Sequence, residues 1–71
     1  MNVQSTVVIN WVDDNLPPLS WRITVMKLMK LLMTNGIRPA QIDDTVYFNQ
    51  EIMTAIREYI KETYNKDMPG F

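Results

Sequence analysis

The chain has 71 residues, a net charge of −1, no cysteine and no histidine. That is enough chain for one core, and it excludes disulfides, Cys/His zinc sites and the usual general base. A domain this small is expected to hold only about 3–5 kcal/mol from its core, which makes self-association a natural route to further burial.

Punctuation falls at Asn15-Leu16-Pro17-Pro18, at Thr34-Asn35-Gly36 with Pro39, and at Met68-Pro69-Gly70. These breaks divide the chain into four predicted elements. The first is a strand over Gln4–Val12, in which Val7, Ile9 and Trp11 alternate with Thr6, Val8, Asn10 and Val12. Such alternation suits a half-buried strand, and Asp13-Asp14-Asn15 favours a turn after it. The second is a helix over Trp21–Thr34, with Pro17-Pro18 before it, Ser20 as N-cap and Gly36 supplying a left-handed C-terminal cap. At 100° per residue, Trp21, Val25, Leu28 and Leu32 form one stripe, and Met26, Met29 and Met33 form a neighbouring one. Lys27, Lys30 and Thr34 lie opposite, while Ile23 and Leu31 widen the apolar sector beyond what a surface helix needs.

The third element is a short strand over Thr45–Phe48, β-branched and aromatic, with Tyr47 facing outward. The fourth is a helix over Gln50–Tyr64. Asn49 is its N-cap and Glu51 complements its positive end. Ile52, Met53, Ala55, Ile56, Tyr59, Ile60 and Thr63 share its inward face. The fold class expected is thus α+β. It is a small two-layer β-α-β-α domain over 1–71, whose short two-stranded sheet is covered by two amphipathic helices and is open to extension by dimerisation. The tail 65–71 is expected to be flexible unless Met68 and Phe71 dock.

Charge is unevenly placed. Residues 1–15, 20–42 and 43–71 carry −2, +4 and −3. Arg22, Lys27, Lys30 and Arg38 make the middle block basic. Solvated helix faces are the ordinary reading of such charges, and anion or nucleic-acid contact is the functional one.

Catalytic chemistry finds no support. The only serines are Ser5 and Ser20, glycine stands only at 36 and 70, and no phosphate loop or nucleophile elbow can be drawn. No enzyme activity and no cofactor are expected. Asp13, Asp14, Asp43 and Asp44 would form a cation site only if the two pairs converge; otherwise they are turn residues. The methionine stripe has two readings, core filler and adaptable contact surface.

Val46-Tyr47-Phe48 followed by an amphipathic helix resembles the wing-then-helix ending of small winged-helix, excisionase-like regulators. The resemblance spans residues 45–60 and has no specific motif. Such a fold needs two short helices upstream, where this chain reads as one long helix, so nothing is carried over from it.

The function expected is a small non-enzymatic protein-binding regulator, adaptor or inhibitor that occupies a surface, with Arg22, Met26, Met29 and Met33 as its contacts. A cytoplasmic setting, a phage or mobile-element origin and homo-oligomerisation belong to the same expectation. No secretory leader or membrane span is expected. The alternative is a nucleic-acid-binding regulator using Arg22, Lys27, Lys30 and Arg38, which an isoelectric point near 5.1 disfavours.

Overall fold

A stretch of nine extended residues needs a partner of similar length, because its backbone amides and carbonyls must be paired. The only other strand-forming segment, around Thr45–Phe48, is half as long. The computed structural model, which describes residues 2–71, resolves this mismatch by making most of the first segment helical. Strand β1 is only Val3–Gln4, and it is followed directly by helix α1, Ser5–Asn15. Helix α2 follows at Ser20–Thr34, then a 3₁₀ turn at Pro39–Gln41, strand β2 at Tyr47–Phe48 and helix α3 at Gln50–Tyr64. The strands pair antiparallel, with Val3 opposite Phe48 and Gln4 opposite Tyr47. The α+β class with a two-stranded sheet holds. The order is β-α-α-β-α, with three helices in place of two.

The predicted strand Gln4–Val12 is therefore corrected to a helix. Its apolar run fits both periods, and its β-branched residues lean toward strand. Packing decides. Ser5, Val8, Val12 and the following Leu16 are buried, which is helical spacing, while Val7 turns outward. In a helix the backbone satisfies itself. Ser5 N–H still reaches Val46 O at 2.9 Å, so the ladder ends where the helix begins.

The turn from α1 to α2 is tight. Asn15 Nδ2 donates to Trp11 O at 2.9 Å, and Leu16 is buried as the chain reverses. The N-cap of α2 is Leu19, not Ser20. Leu19 holds φ +70°, a left-handed conformation that is uncommon outside glycine, asparagine and aspartate. Ser20 is buried, and its hydroxyl donates back to Pro17 O at 2.6 Å, so it secures the turn rather than accepting from the first helical amides. Buried Thr24 donates to Ser20 O at 2.8 Å.

The far end of α2 follows the sequence. Gly36 has φ +77°, Gly36 N–H reaches Met33 O and Ile37 N–H reaches Leu32 O, both at 3.0 Å. This is a Schellman closure, with glycine at the position that needs a positive φ. Asn49 caps α3, its Oδ1 accepting from Ile52 N–H at 3.0 Å. Asn49 Nδ2 also donates to Asn35 Oδ1 at 2.9 Å, and Asn35 Nδ2 donates to Leu31 O and Glu51 Oε1. The end of one helix and the start of the next are thus clamped by a pair of asparagines.

The core gathers Val8 and Val12 of α1, Leu32 of α2, Phe48 of β2, and Ile52, Met53, Ile56 and Ile60 of α3. Trp21 covers it from one side, its ring 6.0 Å from that of Phe48. The tail 65–71 folds back far enough to bury Met68, while Phe71 stays exposed. Lys61 Nζ lies 3.1 Å from Asp67 Oδ1, an exposed pair worth little by itself. Among the described residues, no buried side-chain nitrogen or oxygen lacks a hydrogen-bond partner. The radius of gyration is 11.0 Å, matching the value of about 11 Å expected for a compact chain of this length.

Two stability predictions follow from this packing. Ile56, at 1% exposure, contributes a full side chain to the core. Ile56→Ala should cost about 2–5 kcal/mol in chemical denaturation, against less than about 0.5 kcal/mol for exposed Glu58→Ala. Equal shifts in the two midpoints would mean that α3 is rotated from the orientation described. Leu19→Gly should raise stability by about 0.5–1 kcal/mol, since relief of the left-handed backbone outweighs the glycine's extra unfolded-state freedom. A lowered urea midpoint would refute strain at Leu19.

Candidate functional site

Helix α2 has more apolar surface than one core can take up. Its inward side comprises Trp21, Thr24, Val25, Leu28, Leu31 and Leu32, all buried or half-buried. At 100° per residue Arg22, Met26, Met29 and Met33 fall together in the sector that adjoins this inward side. The methionine stripe is accordingly outside the core: Met26 is 65%, Met29 41% and Met33 60% exposed. Nearer the start of the helix, Ile23 is 47% exposed, and Leu19 at the N-cap is 69% exposed. Four of the eight large apolar residues that remain exposed thus lie on the outer part of α2, and a fifth, Leu19, stands at its N-cap. Isolated exposed apolar residues are ordinary, but a contiguous row of them is not.

The spacing along this face is regular. Leu19, Met26 and Met33 are seven residues apart, and Arg22 and Met29 are seven apart between them. Those are the a and d positions of a heptad seam. Arg22, Lys27 and Lys30 are exposed beside or within it, and α2 contains no acid. Among the described residues the one ion pair is Lys61 with Asp67, so these three cations have no carboxylate partner. Arg38 lies elsewhere, on the loop past the Gly36 cap. There it lines a polar groove of about 690 Å³ together with Gln41, Asp43 and Thr45.

Sequence inspection found the methionines and the cations. It missed Leu19, because residues 17–19 read as the approach to a helix, although its seven-residue offset from Met26 was visible. Ile23 was recognised as widening the apolar sector; only the direction it faces is new.

The aspartate pairs do not converge. Asp13 and Asp14 close the last turn of α1. Asp43 and Asp44 lie beside its first turn, where Ser5 Oγ donates to Asp43 O and Gln4 Nε2 donates to Asp44 O. The helix between them keeps the pairs apart by roughly 12–15 Å. Among the described residues, no three acidic side chains are grouped to hold a metal ion. Asp43 has a structural part: its carboxylate accepts from Thr45 N–H at 2.8 Å and Thr45 Oγ1 at 2.6 Å. These bonds favour the ionised form, the hydroxyl more than the amide, and hold its pKa below the ordinary aspartate value.

A second groove, of about 340 Å³, runs between α3 and the returning tail. It is lined by Arg57, Glu58, Lys61, Glu62, Lys66 and Met68 among others. Its charges are mixed in sign. No helix among the described residues is long and apolar enough to cross a membrane.

Compared with protein-family models, with curated proteins and with solved structures, the chain has no match. Two helices do precede the β2–α3 segment, but without a matching structure the winged-helix resemblance carries no weight.

The Asp43 turn yields a titration test. In a carbon-detected NMR titration, the Asp43 carboxyl should titrate below the ordinary aspartate range. Thr45→Ala should return Asp43 to the ordinary aspartate range. Because the folded pKa is lowered, any stability the turn adds is present above the unfolded pKa and disappears as pH falls through the folded one. Coincident titration of Asp43 in wild type and Thr45→Ala would show that the two hydrogen bonds do not form in solution.

Proposed function

We propose that the protein is a small non-enzymatic binding module, a regulator, adaptor or inhibitor, which works by laying the outward face of α2 on a partner protein. The contacts are Met26, Met29, Met33 and Arg22, extended by Leu19 and Ile23. One observation supports the reading most: the methionine row is exposed over the C-terminal half of α2, although the other side of the helix already supplies the core. Methionine suits such a surface, because its unbranched, polarizable side chain adapts to a partner's relief. Leu19 adds weight. It bears the steric cost of a left-handed backbone while more than two-thirds of its surface gains nothing from burial.

A cytoplasmic setting and an origin in a phage or mobile element belong to this reading as its wider context. Homo-oligomerisation through the same stripe is a variant of it that the cations on α2 disfavour. The nucleic-acid alternative rests on Arg22, Lys27 and Lys30 without an acid on α2. It is weakened because the three cations alternate with bulky apolar side chains, which have no complement on a phosphate backbone.

The test is position-specific photo-crosslinking in the native cell, with the photoreactive residue placed at position 29 or, as control, at position 58 on the outer side of α3. A discrete adduct is expected from position 29 and not from position 58. It should vanish when Met26→Glu and Met33→Glu are added. Those changes, at exposed sites, should leave the circular dichroism melt within about 1 kcal/mol of wild type. No adduct at position 29, or equal adducts at both positions, would refute the docking face. An adduct to nucleic acid would replace it with the alternative.

A further inference from the structure

The charges on the α2 face narrow the partner's chemistry. We propose that the occupant is an acidic amphipathic helix of another protein, packed along the Leu19–Arg22–Met26–Met29–Met33 seam, with a partner carboxylate received by Arg22. This rests on the docking face just described and adds to it the identity of what docks.

The seam's periodicity selects a helix. Residues repeating at a and d present knobs to a second helix crossing at a shallow angle, and no other secondary structure matches that spacing. Over Leu19–Met33 the seam is about 22 Å long, or four turns. That length suits a groove-type contact with one partner helix.

Arg22 then sets the sign of the partner. It stands inside the seam, three residues after Leu19 and four before Met26, so both apolar neighbours adjoin it on the helix surface. Anything that covers the methionines also removes water from its guanidinium. Without a carboxylate opposite, that buried charge is unpaired, which is strongly unfavourable. With one, the planar fork binds it bidentately, and a single polar position in an apolar seam fixes the register. Lys27 and Lys30 extend the preference for acidic flanks.

The same charges reject a second copy of this chain. Antiparallel self-pairing sets a positions against d positions, so it buries Arg22 of one copy against a methionine of the other, and parallel pairing sets each cation against itself. Neither arrangement has an acid on α2 to relieve it. A lipid surface fits less well, because both tryptophans turn toward the core and no tryptophan or tyrosine lies on this face.

Two synthetic helical peptides of about three heptads test the proposal, with leucine at a and d. One has glutamate at e, at g and at one seam position; the other has lysine at each of those places. Binding to the full chain is read by fluorescence anisotropy, and its location by amide chemical shifts. The glutamate peptide should bind, with shifts confined to residues 19–33 and their neighbours, and the lysine peptide should not. Arg22→Glu with Lys30→Glu should weaken the glutamate peptide by about tenfold or more and confer binding of the lysine peptide. Both positions are exposed, so the melt should be unchanged.

Equal binding of the two peptides, binding of neither, or shifts centred elsewhere would overturn the acidic-helix proposal. So would a wild-type dimer protected at Met29, or shifts on α2 produced only by anionic phosphatidylserine vesicles. If the peptides fail while the position-29 adduct persists, the docking face stands and only the partner assignment falls. If the adduct is also absent, both fall.

Discussion

Ile52, Met53, Ile56 and Ile60 form one continuous stripe of α3, and they are the buried centre around which the molecule closes. With 71 residues and no disulfide, there is one core and no covalent reinforcement. Each other element can therefore contribute only the side that reaches this stripe or its immediate neighbours. For α1 that side is Val8 and Val12; for β2 it is Phe48; for α2 it is Leu32 with the half-buried Trp21, Val25, Leu28 and Leu31. The limit matters most for α2, whose apolar sector is wider than the space available to it. The outward methionines are a consequence of core size as much as of helix sequence.

Helix α3 was legible almost to the residue, because cap, period and polarity agree over four turns. Asn49 accepts from Ile52 N–H as its position before the apolar run implies, and the inward positions are those the 3.6-residue period selects except Thr63, which is exposed in the last turn. The end of α2 was legible for the same kind of reason: a glycine at 36 closes the helix with a positive φ free of Cβ strain. Residues 4–12 were not. Their β-branched run satisfies a two-residue period as well as a helical one, and no local signal chooses between them. The choice comes from a distant segment, Thr45–Phe48, being too short to pair with a nine-residue strand. Leu19 and Ser20 exchange roles for a similar non-local reason, since burial of Ser20 against the Pro17 carbonyl leaves the cap to its neighbour. At the candidate site the residue types were readable, whereas their direction was not. Whether a methionine stripe faces in or out depends on how much core the other elements leave unfilled.

The clamp between α2 and α3 connects the fold to the face. Asn35, Asn49 and Glu51 join the two helices through side-chain hydrogen bonds of 2.9 and 3.1 Å, and the Schellman closure fixes the last turn of α2. At the other end, Trp21 stacks on Phe48 and Ser20 is bonded into the Pro17 turn. The helix is held at both ends and along its inward side. Its outward side is thus presented on a helix fixed in place, so little ordering entropy would oppose the docking proposed above, and the adaptable part of such a contact would be the methionine side chains themselves.

That division between rigid backbone and adaptable side chains bears on how selective such a face can be. Methionine contacts discriminate poorly between apolar partners, since each side chain reshapes to what it meets. Selectivity must then come from the charges, and α2 has charges of one sign only. Positive groups beside an apolar seam do more to exclude than to attract: they penalise basic helices, and they penalise copies of the chain itself, which could otherwise pair through the exposed apolar row. The Arg22 position is the most demanding, because a charge inside the seam is tolerated while it is hydrated and becomes costly once it is covered without a partner. A single guanidinium can thus keep an exposed apolar helix from self-pairing and also require a carboxylate of whatever finally covers it.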